Sequence, residues 1–253
     1  KSSYHGMVKD SRERFTETAD LYDGHRPSYP AALVDWLAGA AGLTAGSPVA
    51  DIGCGTGISA RLFAERGFVV TGVDPNEAML AKARAKGGAD YRRGESHATG
   101  LPGASQALVI AAQAFHWFDV ASTLAEWRRI LQPGGLAAAF WNDRTEDTPF
   151  LKEYEALLQA SNAEYRELTR RRSTLAELEA APGVKAWTRA EFASLQPLDR
   201  DGLFGRVYSS SYVAHGVADK KAFDAALGAA FDRHAVSGRV EFRYLTVAAH
   251  WRL

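Results

Sequence analysis

The chain has 253 residues, of which 46% are hydrophobic, so it can bury the core of one large domain or two small ones, and disorder and a fibrous structure are excluded. Thirty basic and thirty acidic side chains give a formal net charge of zero, which argues against a dedicated binder of nucleic acid or anionic membranes. The single cysteine excludes an internal disulfide and a cysteine-based zinc cage, and no metal site is predicted.

The first seven residues contain no apolar run that resembles a signal peptide. No stretch approaches the about twenty apolar residues that a membrane span requires. We therefore expect a soluble, cytoplasmic protein without a membrane segment.

Short apolar runs alternate along the chain with segments whose apolar residues recur at helical spacing. This alternation predicts an α/β fold. The predicted strands are 48–52, 68–73, 89–93, 107–112, 136–141, an extended segment near 192–196, and a closing strand at 240–248. The predicted helices are 30–41, 58–66, 77–86, 121–131, a long charged segment at 149–172, and 220–234.

No internal repeat and no linker separates a second domain, so residues 1–253 are interpreted as one domain. An N-terminal lid is expected at about 8–41 and the ligand-binding core at about 44–142. The charged helical segment interrupts the alternation and predicts an insertion at about 147–185. The sheet would then be completed by residues 190–253.

A cluster of alternating glycines follows the first predicted strand, at Gly53, Gly55 and Gly57. Glycines at the carboxyl end of a parallel strand allow the backbone to approach a ligand closely. A dinucleotide fingerprint would place its third glycine at Ile58, and Asp51 would repel a pyrophosphate but could receive an ammonium group. The turn therefore favours a cationic nucleoside cofactor without phosphate over a nicotinamide dinucleotide.

An acid follows the second predicted strand, at Asp74, about twenty residues after the first glycine. Folds of this type place an acid there to accept hydrogen bonds from two ribose hydroxyls. A helix-capping role is the alternative interpretation, because Asp before Pro is common where a helix begins. The joint pattern of the glycine turn and this acid favours the ribose role.

Together with further motifs, these residues resemble the class I S-adenosylmethionine-dependent methyltransferases, in the small-molecule branch that includes the trans-aconitate methyltransferase-like (methyltransferase type 11) proteins. The motifs that carry the resemblance are Val49-Ala-Asp-Ile-Gly-Cys-Gly-Thr-Gly57, Gly72-Val-Asp-Pro75 with Met79, Gly100-Leu-Pro102, Ala112-Gln-Ala-Phe-His-Trp-Phe118, Arg129-Ile-Leu-Gln-Pro-Gly-Gly135 and the upstream Arg26-Pro-Ser-Tyr-Pro30. The resemblance implies a Rossmann-like, seven-stranded, mostly parallel sheet with an antiparallel seventh strand and helices on both faces.

The resemblance also implies the cofactor, S-adenosylmethionine, with S-adenosylhomocysteine as the product. Asp51 and the glycine turn would hold the methionine end, and Asp74 the ribose. The other residues implied at the cofactor are Pro75 and Met79 against the adenine, Ser96 and His97 at its edge, Gln113 at the sulfonium side, and Tyr22 in the lid. His97 departs from the pattern of this branch, which commonly has at this position an acid that accepts from the adenine amino group.

Methyl transfer from a sulfonium is an in-line displacement that needs few catalytic groups beyond positioning. His116 is the candidate base, and its alternative is a packed aromatic wall formed with the next two residues. Arg26 is a candidate catalytic residue in the lid, for which a surface loop is the alternative. Asn142 and Arg144 leave the fifth core strand and could bind the acceptor, Arg144 by pairing with a carboxylate, or could form a solvated turn.

The acceptor is expected to be a small molecule. Adenine-N6 enzymes of this fold carry an Asn/Asp-Pro-Pro-aromatic run after the fourth strand, where this chain has Gln113-Ala-Phe-His-Trp117. Cytosine-C5 enzymes need a nucleophilic cysteine, whereas Cys54 lies within the glycine turn. No nucleic-acid partner is therefore expected, and the protein would act as a monomer or homodimer. The alternative function is a non-catalytic sensor or scaffold that binds S-adenosylmethionine without transferring methyl groups.

Overall fold

Seven strands form one sheet in a computed structural model that describes residues 27–163, 165 and 178–253. The strands are β1 (Pro48–Ile52), β2 (Val69–Asp74), β3 (Asp90–Arg93), β4 (Gln106–Ala112), β5 (Leu131–Arg144), β6 (Lys185–Leu198) and β7 (Val240–Arg252). They lie in the order β3-β2-β1-β4-β5-β7-β6, and β7 runs antiparallel to both of its neighbours. The predicted Rossmann-like α/β class and the antiparallel seventh strand are confirmed.

Eight α-helices have defined bounds in the described part of the chain: α1 (Ala31–Ala41), α2 (Ile58–Ala64), α3 (Glu77–Lys86), α4 (Val120–Ile130), α5 (Pro149–Ser161), α6 (Arg200–Tyr208), α7 (Ser211–Gly216) and α8 (Lys220–His234). Five of these helices follow a residue whose side chain accepts a hydrogen bond from a backbone N–H of the first turn. These caps are Asn76, Asp119, Thr148, Asp199 and Asp219. Short polar side chains thus fix where these helices start.

The predicted element bounds differ from the structure mainly in the second half of the sheet. β5 begins at Leu131 instead of residue 136, because Leu131 already pairs with Gln106 of β4. The register then shifts, and regular pairing continues from Leu108 with Leu136. β6 is longer than the predicted 192–196 because it pairs along almost the whole of β7. The predicted helix at 149–172 ends at Ser161 as α5, and residues 164 and 166–177 lie outside the described residues.

Alternate residues of each central strand pack on opposite faces of the sheet, as strand geometry requires. Val49 and Leu108 belong to the cluster beneath α1, α2 and α3, whereas Ala50 and Val109 belong to the cluster beneath α4. Such strands are buried on both faces, which explains their continuous apolar sequences. The central sheet is therefore a rigid platform, and its carboxyl edge can hold side chains at fixed positions.

A third apolar cluster lies under α5, α6 and α8, where it meets the first half of β7. Its largest wholly buried side chains are Tyr154, Phe223 and Phe242. This cluster fixes a helical cap beside the carboxyl end of β5. Among the described residues no helix has both the length and the apolar character that crossing a bilayer requires, and no group of three or more potential metal ligands was found there.

Candidate active site

Two cavities open at the carboxyl edge of the sheet. The larger has a volume of about 620 Å³ and lies over the ends of β1, β2 and β4. The smaller has a volume of about 240 Å³ and lies between the end of β5 and the helical cap. Both are lined by Gly53, Gly55, Ala112 and Gln113, so the two cavities meet where β1 and β4 end.

The three glycines of the turn have different surroundings. An added Cβ on Gly53 would lie 2.6 Å from the Cβ of Ala114, and one on Gly57 would clash with the Tyr91 ring. A Cβ on Gly55 would meet no atom within 4 Å, although its φ of +53° favours glycine. Packing therefore requires glycine at the first and third positions, whereas Gly55 presents bare backbone to both cavities.

Asp51 lies wholly buried beneath this turn and lines neither cavity. Its Oδ2 accepts a hydrogen bond of 2.6 Å from the Ser59 hydroxyl, while its Oδ1 has no partner among the described residues. Burial raises the pKa of the Asp51 carboxyl to about 7; the Ser59 hydrogen bond opposes the rise and the Asp74 carboxylate adds to it. The turn thus rests on a carboxyl group that is incompletely satisfied, as expected where a ligand cation comes near.

Asp74 stands at the end of β2, almost buried, in the wall of the larger cavity. Its Oδ2 accepts the Gly55 N–H at 2.9 Å, and its Oδ1 accepts the Asn76 N–H at 2.8 Å. The carboxylate therefore joins the glycine turn to Asn76, the residue that caps α3. The capping role belongs to Asn76, whereas Asp74 lines the larger cavity, where its ribose role stays a prediction.

The larger cavity brings together most of the predicted cofactor residues. Pro75, Met79, Ser96, His97 and Gln113 all line it. The sequence reasoning missed other members of the same wall, namely Asn76, Glu95 and Asp119. Glu95 could have been predicted from its position, because it follows β3 directly before Ser96. Residues that follow parallel strands lie at this edge of the sheet.

A charged network fixes the segment that carries Ser96 and His97. The Glu126 carboxylate of α4 accepts the Thr99 N–H at 2.9 Å and the Thr99 hydroxyl at 2.6 Å, and it pairs with Arg129. Hydrogen bonds from Arg129 and Thr99 lower the pKa of Glu126 to about 2, although burial opposes this shift. The segment after β3 is thereby tied to α4 at neutral pH.

Gln113 stands between the two cavities in a strained conformation. Its φ of +57° is uncommon for a residue other than glycine. Its backbone N–H donates to the Phe140 carbonyl at 2.9 Å, and its Nε2 donates to the Asn142 carbonyl at 3.4 Å. Asn142 is itself held by the Thr246 hydroxyl and by the Ser28 carbonyl. Both predicted residues are therefore fixed at the junction.

His116 lies in a 3-10 turn, Phe115–Trp117, and is exposed. Its ring packs 4.7 Å from the Trp117 ring, and it is not among the residues that line either cavity. Trp117 and Phe118, the other members of the alternative aromatic wall, do line the larger cavity. The structure thus brings two residues of the wall to the site and leaves the candidate base outside it.

Two of the described residues that line the smaller cavity are arginines, and their side chains have different partners. Arg144, which the sequence suggested for a carboxylate, is already paired with Glu155 and lies beside Tyr165. Arg206 of α6 was not anticipated, because its position against the sheet depends on strands that pair far along the chain. Its Nε donates to the Tyr244 hydroxyl at 2.8 Å, and its side chain is buried.

The lid is described only in part. Tyr22 and Arg26 lie outside the described residues. Pro27 and Tyr29 line the smaller cavity, and the Tyr29 ring meets the Phe140 ring edge-on at 4.8 Å. These two residues of the segment predicted as a lid therefore form part of the cavity wall, and its function as a lid stays a prediction.

Residues 50–139, which include the glycine turn, Asp74 and Gln113, match the family model described as a methyltransferase domain. Over 146 residues the chain is 36% identical to an uncharacterized methyltransferase of Mycobacterium tuberculosis, covering 57% of this chain and 58% of that protein. Over 109 residues it is 39% identical to a ubiquinone biosynthesis O-methyltransferase of Pseudomonas aeruginosa, covering 40% of this chain and 47% of that protein. The chain thus spans less than two thirds of the length of the curated relatives it matches.

Solved structures agree with this match. A protein from Anaeromyxobacter dehalogenans, provisionally assigned as a type II methyltransferase, superposes with a TM-score of 0.71 at 27% identity, over 90% of this chain and 97% of that one. A protein from Anabaena variabilis, provisionally assigned as an antibiotic-pathway methyltransferase, shares the fold with a TM-score of 0.58 at 18% identity, over 90% and 99% of the two chains. The expectation from the sequence motifs is confirmed as far as the match extends: residues 50–139 contain a methyltransferase domain, and the sheet has the fold of the class I S-adenosylmethionine-dependent methyltransferases.

Proposed function

We propose that the larger cavity binds S-adenosylmethionine, that the smaller cavity binds a small methyl acceptor, and that the protein transfers the methyl group between them. The observation that carries this proposal is the junction of the two cavities at Gly55 and Gln113. A displacement at carbon needs donor and acceptor in line and close together, and such a junction supplies both conditions.

The residues present fit the cofactor. The bare backbone of Gly55 leaves room for a ligand, and the unpartnered oxygen of Asp51 lies beneath the same turn. An ammonium group nearby would lower the pKa of Asp51 and hold it ionised. The proposed roles follow the sequence prediction: the glycine turn with Asp51 for the methionine end, and Asp74 for the ribose hydroxyls.

The adenine would lie against Pro75 and Met79, with Ser96 and His97 at its edge. Glu95 also lines this edge, and its carboxylate could accept a hydrogen bond from the adenine amino group. It would thus supply the acid that the branch commonly has at the position of His97. When bound, S-adenosylmethionine supplies an electrophilic methyl group on a sulfonium. Gln113, fixed by its two hydrogen bonds, would border that side.

The chain contributes positioning and exclusion of water more than acid–base chemistry. Asn142 and Gln113 hold the junction, and Pro27 and Tyr29, which precede α1, line the smaller cavity. Holding two reactants in a near-attack geometry can contribute roughly 7–11 kcal/mol to lowering a barrier. A deprotonated or readily ionised acceptor would then need no base from the walls.

A small acceptor is favoured by the size of the smaller cavity, about 240 Å³, and by its position between the sheet and the helical cap. A base within a nucleic-acid duplex would have to be flipped out to reach such a site, and the chain has no net positive charge to hold the strand.

Two measurements test the proposal. Calorimetry should show binding of S-adenosylmethionine and S-adenosylhomocysteine but not of NAD. Methyl-labelled S-adenosylmethionine, incubated with the protein and a metabolite extract, should then label the small-molecule fraction and leave added nucleic acid and protein unlabelled. Cofactor binding without any labelled product would favour the sensor or scaffold alternative, and failure to bind the cofactor would refute both. Light scattering distinguishes a monomer from a homodimer.

A further inference from the structure

Arg206 carries a positive charge inside the wall of the smaller cavity. Its side chain is buried, with a residue exposure of 8%, and a guanidinium stays protonated in proteins. Its hydrogen-bond partners in the described part of the chain are all neutral: the Tyr244 hydroxyl at 2.8 Å, the Ser210 hydroxyl at 3.1 Å and the Ser209 hydroxyl at 3.3 Å. No carboxylate within the described ranges lies at ion-pair distance from this guanidinium.

Arg144 lies in the same wall, but its charge is compensated by a carboxylate. It is paired with Glu155, and the two side chains are 12% and 13% exposed. Glu146 also borders the cavity, but it is exposed at the rim and solvated. Among the described residues, the buried part of the wall therefore holds two positive charges and one negative charge, with the excess on Arg206.

Buried charges in proteins are paired or hydrogen-bonded, because removing a charge from water is costly. The rings of Phe242 and Tyr244, each 5.8 Å from the guanidinium carbon, and the neutral hydroxyls compensate only in part. An anion in the cavity would complete the compensation. The hydroxyl of Ser210, which lines the cavity beside Arg206, could donate to the same anion.

We propose that Arg206 binds a carboxylate of the methyl acceptor in the smaller cavity, and that the protein therefore acts on small carboxylic acids. A carboxylate is preferred to a phosphate because one uncompensated arginine matches one negative charge. The assignment rests on the proposed function for its acceptor, although the anion site itself is defined by Arg206 alone. It concerns how the acceptor is anchored, and it leaves open which atom receives the methyl group.

The test compares acids with their amides. The full-length protein, saturated with S-adenosylhomocysteine, is titrated with acetate, butyrate and benzoate, and with the three matching amides at the same ionic strength, and binding is followed by ligand-detected NMR. We expect the carboxylates to bind at least tenfold more tightly than the amides. Equal binding of the two series, absence of binding by both, or tighter binding of phenyl phosphate than of benzoate would overturn the assignment.

Variants locate the effect. Arg206→Met should weaken benzoate binding at least tenfold, and Arg206→Lys should retain part of it. Arg200→Met is the matched control, because Arg200 lies on the same helix but is exposed and paired with Asp232; it should change binding less than twofold. Undiminished benzoate binding by Arg206→Met would refute the site, and if that variant does not fold, the comparison of acids with amides still decides.

The affinity for S-adenosylmethionine is measured on the same samples. If the wild-type protein binds the cofactor but no carboxylate, the inference about Arg206 fails while the proposed function stands. If it binds carboxylates but no cofactor, the proposed function fails while the anion site stands.

Discussion

The two cavities differ in how the chain builds them and in the charge that they present. The larger one is lined by residues from one continuous stretch, Gly53–Asp119, and its charged side chains include Asp74, Glu95 and Asp119. The smaller one collects residues from Pro27 to Tyr244 and holds the arginines described above. No lysine or arginine is among the described residues that line the larger cavity.

This difference is complementary to the two ligands proposed. An acidic wall favours a ligand with a sulfonium and an ammonium group, and a wall with an uncompensated arginine favours an anion. The charge of each wall would thus direct the methyl donor to the larger cavity and the acceptor to the smaller one. Each variant discussed next affects one cavity, their junction or neither, so together they test whether the cavities are separate in function.

The largest effect is expected at the junction. Gly55→Val places a branched side chain in the space that both cavities share, so we expect the affinity for S-adenosylmethionine to fall by more than 100-fold, a change of about 3 kcal/mol. Gly42→Val is the matched control, because Gly42 also has a positive φ, +64°, and open space around its Cβ but caps α1 outside both cavities. Calorimetry on both variants checks the prediction, and equal affinity would show that the turn does not border the ligand.

The carboxyl group beneath the junction should make stability depend on pH. The pKa of Asp51 is raised from 3.8 to about 7, so the folded protein holds a proton that the unfolded chain has lost. This contribution is fully present below about pH 4 and is lost as the pH rises to about 7. The loss amounts to at most roughly 4 kcal/mol. Asp51→Asn stays neutral, so the variant should gain stability relative to the wild type over this range.

Urea unfolding of both proteins at pH 2.5, 3.5, 4.5, 5.5 and 7.5 measures the difference. Glu126 provides an internal reference, because its pKa is lowered to about 2 and its contribution is lost only as the pH falls through the range below about 4.5. The fall in the free energy of unfolding at acid pH should therefore be the same in both proteins. A stability difference that does not change between pH 4.5 and 7.5 would contradict the raised pKa of Asp51.

A smaller effect is expected from the larger cavity alone. Asp74→Ala removes the proposed ribose acceptor together with two backbone hydrogen bonds, so we expect cofactor affinity to fall by about 1–3 kcal/mol. Carboxylate binding in the smaller cavity should change less than twofold. Asp219→Ala is the control for the loss of a carboxylate that accepts a backbone N–H, because Asp219 accepts the Ala222 N–H outside both cavities. A parallel loss of cofactor and carboxylate binding would show that the two cavities are not independent.

The same contrast explains what the sequence could predict. The glycine turn, Asp74 and Ser96 follow consecutive strands of one α/β run, and the geometry of parallel strands brings such residues to one edge. Arg206 could not be recognised, because α6 reaches the cavity only through the pairing of β6 with β7 and of β7 with β5. For Arg144 the sequence showed the charge but not the partner, since Glu155 lies on a helix whose direction depends on tertiary packing.

The bounds of β1 to β4 were predicted to within one residue, whereas those of β5, β6 and β7 were predicted too short. The short apolar runs of the first four strands are local signals, whereas the start of β5 depends on a partner in β4. Likewise, the identity of Gly53 and Gly57 suggested a ligand turn, but their packing against Ala114 and Tyr91 involves residues far along the chain. Sequence motifs therefore indicated the site, and tertiary contacts decided which residue in each motif faces it.

The smallest effect is expected outside both cavities. A general base typically contributes 10²–10⁴-fold to turnover, and that is the loss which the sequence prediction for His116 implies for His116→Ala. The exposed ring, packed on Trp117 and absent from either wall, leads us to expect less than a twofold change in methyl transfer and in cofactor affinity. Trp117→Ala is the matched comparison, because Trp117 lines the larger cavity and its removal should weaken cofactor binding. The rate of label transfer, measured from pH 6 to 9, decides between the two roles. If His116→Ala loses the change in rate that the wild type shows near neutral pH, His116 is the general base after all. The turn at Phe115–Trp117 would then have to move when the acceptor binds.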